Sequence, residues 1–282
     1  MWRLIVDLAD ATALDHVVAA VGEQCEAISA FENGKAWRVE GMSQDKPDAA
    51  LLDAALLLLG ISPAVVVERL QPRDWVSENQ AGFPPLRAGR FFIHGSHYQV
   101  AAPRDAIPIL IDAATAFGTG EHATTRGCLL ATALVKSRPR RILDMGCGTG
   151  ILAIAATKLW RRDVLATDID PESVRVTRVN AEANRVAKAI RVEISPGYRH
   201  LEIARRAPFD LVFANILARP LMRMAPDLAR VLAPGGVAIL SGLLARQEAA
   251  VLSAHRTQGL HFVARIALEG WHTLVVGNRG TA

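Results

Sequence analysis

Apolar positions in residues 1 to about 95 switch between a two-residue and a helical repeat. Trp2 to Leu8 alternates as a strand, and Thr12 to Gln24 carries an amphipathic helical stripe. Glu26 to Phe31 and Trp37 to Gly41 read as two strands joined through the hairpin dipeptide Asn33-Gly34. Pro47 opens a helix to Leu59, Gly60 closes it, and the β-branched run Val65-Val66-Val67 follows as a strand. The order βαββαβ predicts a small ferredoxin-like α+β domain over residues 1–95. Gln71 to Arg104 mixes Pro, Gly and aromatic residues, which suits a connector with a few short strands; the connector proper is set at 96–115.

From Arg141 the period alternates regularly. Strands are predicted at Arg141–Met145, Val164–Asp168, Ile190–Ile194, Phe209–Ala214 and Val237–Ser241, with helices at Ile151–Trp160, Glu172–Arg185, Leu217–Leu232 and Arg246–Arg256. Two β-like runs, His261–Leu268 and Trp271–Val276, follow around Gly270. Such alternation requires a mainly parallel sheet with helices on both faces, so residues 116–282 are expected to form a Rossmann-like α/β domain.

The composition changes this picture little. A chain of 282 residues, 51% hydrophobic and 21% charged, has enough apolar surface for one large core or two, which excludes a disordered protein. The formal charge of +4 reads as spread along the chain, so no nucleic-acid arm and no direct nucleic-acid reading are expected, while ribonucleoprotein contact stays open. Cys25, Cys128 and Cys147 are odd in number and far apart, which favours a reducing cytoplasm over a disulfide framework. The most apolar run, Ala54 to Leu59, is far below the ~20 residues of a bilayer span, and no membrane or targeting segment is expected. His94 and His97 form only a lone H-x-x-H, no metal site is expected, and nothing demands more than a monomer.

The strand ending Leu143-Asp144-Met145 runs into Gly146-Cys147-Gly148-Thr149-Gly150 and then a helix, a turn in which glycines let the backbone approach a ligand closely. A dinucleotide loop would carry its third glycine where Ile151 stands, which disfavours a nicotinamide oxidoreductase. Asp168 ends the next strand, 22 residues after Gly146, where a carboxylate can accept both hydroxyls of an adenosine ribose; Asp170 is the better helix cap. Asp144, just ahead of the glycines, would repel a pyrophosphate and suits a ligand that carries positive charge. S-adenosylmethionine, with its sulfonium and ammonium, is such a ligand.

A second segment narrows the reading. Ala116-Phe117-Gly118-Thr119-Gly120-Glu121-His122-Ala123-Thr124-Thr125 resembles the A-F-G-T-G-x-H-x-T-T signature of the ribosomal protein L11 methyltransferases, the PrmA family, within the class I S-adenosylmethionine-dependent methyltransferases. Asp112-Ala113-Ala114-Thr115 replaces the usual Asp-Pro-Gly entry. The resemblance runs on through residues 142–156, Asp168-Ile169-Asp170-Pro171, Ala214-Asn215-Ile216-Leu217-Ala218 and Pro220-Leu221, covering about residues 112–245. The N-terminal third matches in architecture only. The resemblance implies a seven-stranded cofactor domain, cofactor contacts at Thr125, Gly146, Asp168 and Asn215, and methyl transfer to lysine side chains or the N-terminal α-amine of L11. It also implies that the N-terminal domain recognises that protein.

The residues themselves agree. The Asn215 amide oxygen and the Ile216 backbone carbonyl can accept hydrogen bonds from an attacking amine, while Gly146 and Gly148 shape the cofactor loop. Phe117 would cover the methionine end of the cofactor. Thr124 or Thr125 would cap a helix from Arg126 to Lys136, with His122 ordering the loop. The competing readings are a methyltransferase of another protein or small amine, and a catalytically silent binding module with the same fold.

Overall fold

The computed structural model describes residues 2–10, 12–25, 27–33, 36–43, 45–58, 60–61, 64–69, 85–98, 102–112 and 122–279. They divide into two compact units, Met1–Trp75 and Val76–Ala282.

The first unit follows the βαββαβ order: β1 (Trp2–Leu8), α1 (Leu14–Gly22), β2 (Ala27–Asn33), β3 (Ala36–Ser43), α2 (Ala49–Leu58) and β4 (Ala64–Arg69). The sheet order is β2-β3-β1-β4 with antiparallel pairs. The two-residue period of β1 sends Leu4, Val6 and Leu8 into a core with Val17 and Val21 of α1 and Leu52 and Leu56 of α2. The alternate positions carry charge: Asp7 accepts from Arg38, its register partner on β3, at 2.7 Å, and Arg3 donates to Glu68 on β4 at 2.6 Å. The Gly34 half of the expected hairpin turn and Leu59 lie outside the described residues.

The second unit begins with a three-stranded sheet, β5 (Leu86–Ala88), β6 (Phe91–His94) and β7 (Ile107–Leu110), in the order β5-β6-β7. The boundary expected near residue 95 therefore moves to Trp75/Val76 in this division. The physical reason is burial. Phe91, Ile93 and Ile109 belong to the same apolar cluster as Leu129, Ile154 and Val164 of the larger domain.

There follow α3 (Ala123–Ala131), β8 (Ile142–Met145), α4 (Ile151–Trp160), β9 (Val164–Asp168), α5 (Pro171–Ala183), β10 (Ile190–Ile194), α6 (Leu201–Arg206), β11 (Phe209–Asn215), α7 (Ala218–Arg223), α8 (Ala225–Val231), β12 (Leu232–Leu244), α9 (Glu248–Arg256), β13 (Leu260–Leu268) and β14 (Trp271–Asn278). The sheet has seven strands in the order β10-β9-β8-β11-β12-β14-β13. The first five are parallel, and β14 is antiparallel to both β12 and β13. Buried on both faces, β8 and β11 read as near-continuous apolar runs. Strand order reverses at β8, between β9 and β11, and ligands of open α/β sheets collect outside the carboxyl ends at that point.

Two helices depart from the sequence expectation. The one expected from Arg126 to Lys136 starts earlier, at Ala123, and its cap is His122, whose Nδ1 accepts from the Thr124 amide at 3.3 Å; Thr124 and Thr125 fall inside its first turn. The expected Leu217–Leu232 helix is two, broken at Met224, because Pro226 in the first turn of α8 lacks the amide a continuous helix needs. Asp170 caps α5 as expected, accepting from the amides of Glu172 and Ser173 at 3.1 Å each and from the Ser173 hydroxyl at 2.9 Å. Asp170→Ala is expected to lower unfolding free energy by about 1–2 kcal/mol in a denaturant titration. No helix among the described residues is long and apolar enough to cross a membrane.

Candidate functional site

A cavity of about 860 Å³ opens at the carboxyl ends of β8, β9 and β11, between the glycine loop, the first turn of α3 and the start of α7. That volume suits a ligand of nucleoside size.

The glycine loop is the floor. The amides of Gly146 and Cys147 both donate to the Thr167 carbonyl, at 2.8 and 3.0 Å, which pulls the chain back over β9. Gly146 has φ +75°, and a Cβ there would stand 2.4 Å from Ile216 Cγ2. A side chain at 146 would thus collide with the segment that follows β11. Cys147 lines the cavity, but burial pushes its thiol well above the usual range, which removes it as a nucleophile.

Asp168 stands at the cavity wall with its carboxylate held from two sides. Oδ2 accepts from the Gly148 amide at 2.9 Å and Oδ1 from the Asp170 amide at 3.0 Å. An ionised carboxylate has about four acceptor sites, so each oxygen keeps one more for a vicinal diol. Gly148 therefore contributes by its amide, which aims Asp168.

Asp144 is differently placed from its expected role. It is not part of the cavity wall; it is fully buried beneath the loop, where Oδ2 accepts from the Ala153 amide at 2.9 Å. Ala153 is the third residue of α4, whose N-cap is Gly150, so Asp144 supplies from the strand the cap that a glycine lacks. Its Oδ1 has no partner, and burial raises the carboxyl from 3.8 to about 7, with the Asp168 charge adding to the rise. A carboxyl so raised holds its proton more tightly folded than unfolded. Its contribution to stability is complete below about pH 4 and is lost as the pH climbs through about 7. Urea unfolding of the wild type and of Asp144→Asn should therefore show the wild type losing ground to the variant between about pH 5 and about pH 8. A constant difference over that range would contradict the burial.

The acceptor side of the cavity is built from β11 and α3. Asn215 Nδ2 donates to Thr125 Oγ1 at 3.3 Å, while Asn215 Oδ1 is buried without a partner among the described residues. The threonine thus commits the donor end of the amide and leaves the acceptor end for a ligand. Next along the chain, the Ile216 amide donates to the Ser241 carbonyl at 3.1 Å. Gly242 has φ +85°, and a Cβ there would lie 2.2 Å from the Ile216 carbonyl oxygen. This glycine sits where the β12–β14 register shifts between Leu240 and Leu243, a bulge that makes room for the Ile216 carbonyl.

His122 and Trp271 complete that side, their rings edge-on with centroids 4.8 Å apart. Sequence reasoning missed Trp271 because it comes from β14, far along the chain, with no motif to mark it. His122 carried a signal, a side-chain acceptor directly ahead of Ala123-Thr124-Thr125. Phe117 and the rest of residues 113–121 lie outside the described residues. Among the described residues no group of three or more His, Cys, Asp or Glu could hold a metal ion.

The described donors and acceptors fit S-adenosylmethionine, with a diol acceptor at Asp168 and a glycine cradle without room for side chains.

Comparisons with known proteins agree on one family. The family described as Ribosomal protein L11 methyltransferase (PrmA) matches residues 16–279. A curated Ribosomal protein L11 methyltransferase of Bradyrhizobium diazoefficiens is 44% identical over 260 residues, covering 90% of this chain and 88% of that protein. Its counterpart in a Caulobacter species is 43% identical over 271 residues, covering 95% and 92%. The crystal structure of a ribosomal protein L11 methylase from Lactobacillus delbrueckii subsp. bulgaricus superposes with a TM-score of 0.62 at 29% identity, covering 70% of this chain and all of that one.

Proposed function

The chain belongs to the ribosomal protein L11 methyltransferase family, and from that premise we propose that it methylates amino groups of ribosomal protein L11, lysine side chains or the N-terminal α-amine, in the cytoplasm. The methyl donor is S-adenosylmethionine, which supplies, when bound, an electrophilic methyl group on a sulfonium. The observation that carries the reading is the Asn215 Oδ1 left without a partner among the described residues, on a side chain that lines the same cavity as Ile216 and Asp168.

Asp168 holds the ribose hydroxyls, and the glycine loop from Gly146 to Gly148 lies under the rest of the cofactor. Asp144, beneath the loop, caps the start of α4 through the Ala153 amide and so fixes the helix that carries the loop. Asn215 Oδ1 and the Ile216 carbonyl accept the two N–H groups of a neutral amine, which aims its lone pair along one direction. Thr125 acts as a positioning residue by fixing the orientation of the Asn215 amide. His122 and Trp271 form the wall that keeps water from the acceptor.

The acceptor must lose a proton before it can attack. For an α-amine of pKa ~8 this costs little near neutrality, but for a lysine of ~10.4 it costs about 4–5 kcal/mol at pH ~7. Asp168 is committed to the ribose and His122 Nδ1 to the Thr124 amide, so on this reading the proton leaves to solvent before the amine is seated. Transfer of labelled methyl to purified L11 should then rise from about pH 7 to about pH 9. A flat profile would exclude this order of events.

The unit Met1–Trp75 recognises the acceptor protein. It contains 12 Asp and Glu against 6 Lys and Arg, an acidic balance that suits a partner presenting lysine amines.

A further inference from the structure

The charge is not spread evenly. Residues 76–282 contain 26 Lys and Arg against 16 Asp and Glu, so a net +10 in the second unit offsets a net −6 in the first. This corrects the even distribution read from the sequence.

Much of that charge falls on one edge of the large sheet. Arg140 and Arg141 lead directly into β8, Arg161 and Arg162 stand just ahead of β9, and Arg185 and Lys188 stand just ahead of β10. These three strands are parallel neighbours with Ile142, Val164 and Ile190 in register, so the six exposed cations share the amino-terminal edge. The cofactor cavity lies at the opposite, carboxyl-terminal edge.

Three further observations mark this edge. A second cavity of about 670 Å³ lies there, lined among others by Thr157, Lys158, Arg161, Arg162 and the carboxylate-bearing Asp163. Thr157 is 94% buried, and its hydroxyl has no hydrogen-bond partner among the described residues. Finally, Arg161 (φ 52°) and Arg185 (φ 59°) both adopt the left-handed conformation. Asn or Gly is favoured at such positions, so arginine is held there against backbone preference. Asp210, another acid at this edge, is engaged by the backbone amides of Arg140 and Arg141 at 2.7 and 2.9 Å.

We propose that this basic amino-terminal edge binds the phosphodiester backbone of RNA without reading its sequence, the guanidinium groups of Arg161 and Arg162 meeting a phosphate at the second cavity. The choice of RNA over other polyanions rests on the ribosomal acceptor proposed above. An enzyme gripping RNA on one edge keeps the other free for cofactor and amine, so a ribosomal protein could be modified with its RNA nearby.

The test uses the full chain, a labelled RNA duplex of about 20 base pairs and fluorescence anisotropy between about 50 and 200 mM salt. The variant Arg161→Asn/Arg185→Asn removes two charges at positions where Asn suits the backbone, so folding is preserved. A second variant, Arg162→Glu/Lys188→Glu, reverses charge without touching a left-handed position. The wild type is expected to bind with log K falling linearly in log salt. Each variant is expected to weaken binding by about tenfold at ~100 mM salt and to shallow the slope by about 1.5. Methyl transfer to isolated L11, measured on the same preparations, should stay within about twofold, since neither pair touches the cofactor cavity. No wild-type binding at about 10 μM protein and ~50 mM salt would overturn the proposal, as would variants that bind like the wild type. Tighter binding to a DNA duplex of equal length would overturn the assignment to RNA. Loss of methyl transfer to L11 by the wild type itself, with RNA binding intact, would instead overturn the proposed acceptor.

Discussion

Asp168→Ala is expected to weaken S-adenosylmethionine binding by about 100- to 1,000-fold in a calorimetric titration. The carboxylate is fixed by the Gly148 and Asp170 amides and presents one remaining acceptor site on each oxygen to a ribose diol. Hydrogen bonds to a charged group contribute about 1.5–3 kcal/mol each, and losing two costs about 3–4 kcal/mol after partial compensation by water. The alanine also releases the Gly148 amide, which loosens the loop under the cofactor. Asp168→Asn separates the two effects, since it retains one acceptor oxygen; it should fall between wild type and alanine, at about 10- to 30-fold. An alanine variant that binds within about threefold of wild type would mean that the diol is held elsewhere.

The second large effect belongs to turnover. Asn215→Ala is expected to lower kcat by about 100- to 1,000-fold at saturating cofactor, with cofactor affinity changed by less than about tenfold. The reason is geometric. Oδ1 is buried and has no partner among the described residues, in a cavity that Ile216 also lines, so it contributes when an amine is aligned rather than when cofactor binds alone. Thr125→Val should lower kcat more modestly, because the amide then loses the 3.3 Å bond that sets its orientation but keeps its oxygen. Unchanged turnover in Asn215→Ala would remove the acceptor role from this pair.

The parts of this site legible in the sequence are those set by local backbone chemistry. A strand running into Gly146-Cys147-Gly148 and an acid ending the next strand specify loop and ligand carboxylate within a single βαβ unit. Asp170 could be read as a cap because capping acts over three residues. The N-terminal βαββαβ order was likewise visible as changes of period. What the sequence concealed depends on distant partners. Asp144 carried a charge argument toward the ligand, but only the position of Ala153 reveals a buried cap with one oxygen unpaired. Gly242 is one glycine among 21 until β12 is paired with β14 and the Ile216 carbonyl appears against it. The division at Trp75/Val76 differs from a boundary near residue 95 because Phe91 and Ile93 join the apolar cluster of the large sheet, a long-range contact that no local pattern announces. The basic edge escaped for the same reason, since its arginines are separated by whole βα units and meet only when the strands align.

The most direct test of the central claim is transfer of labelled methyl from S-adenosylmethionine to the full set of ribosomal proteins from cells that lack this enzyme, with Asp168→Ala as control. The expected result is label in one large-subunit protein, L11, and none with the variant. Label in a different protein, or equal labelling by the variant, would contradict the account.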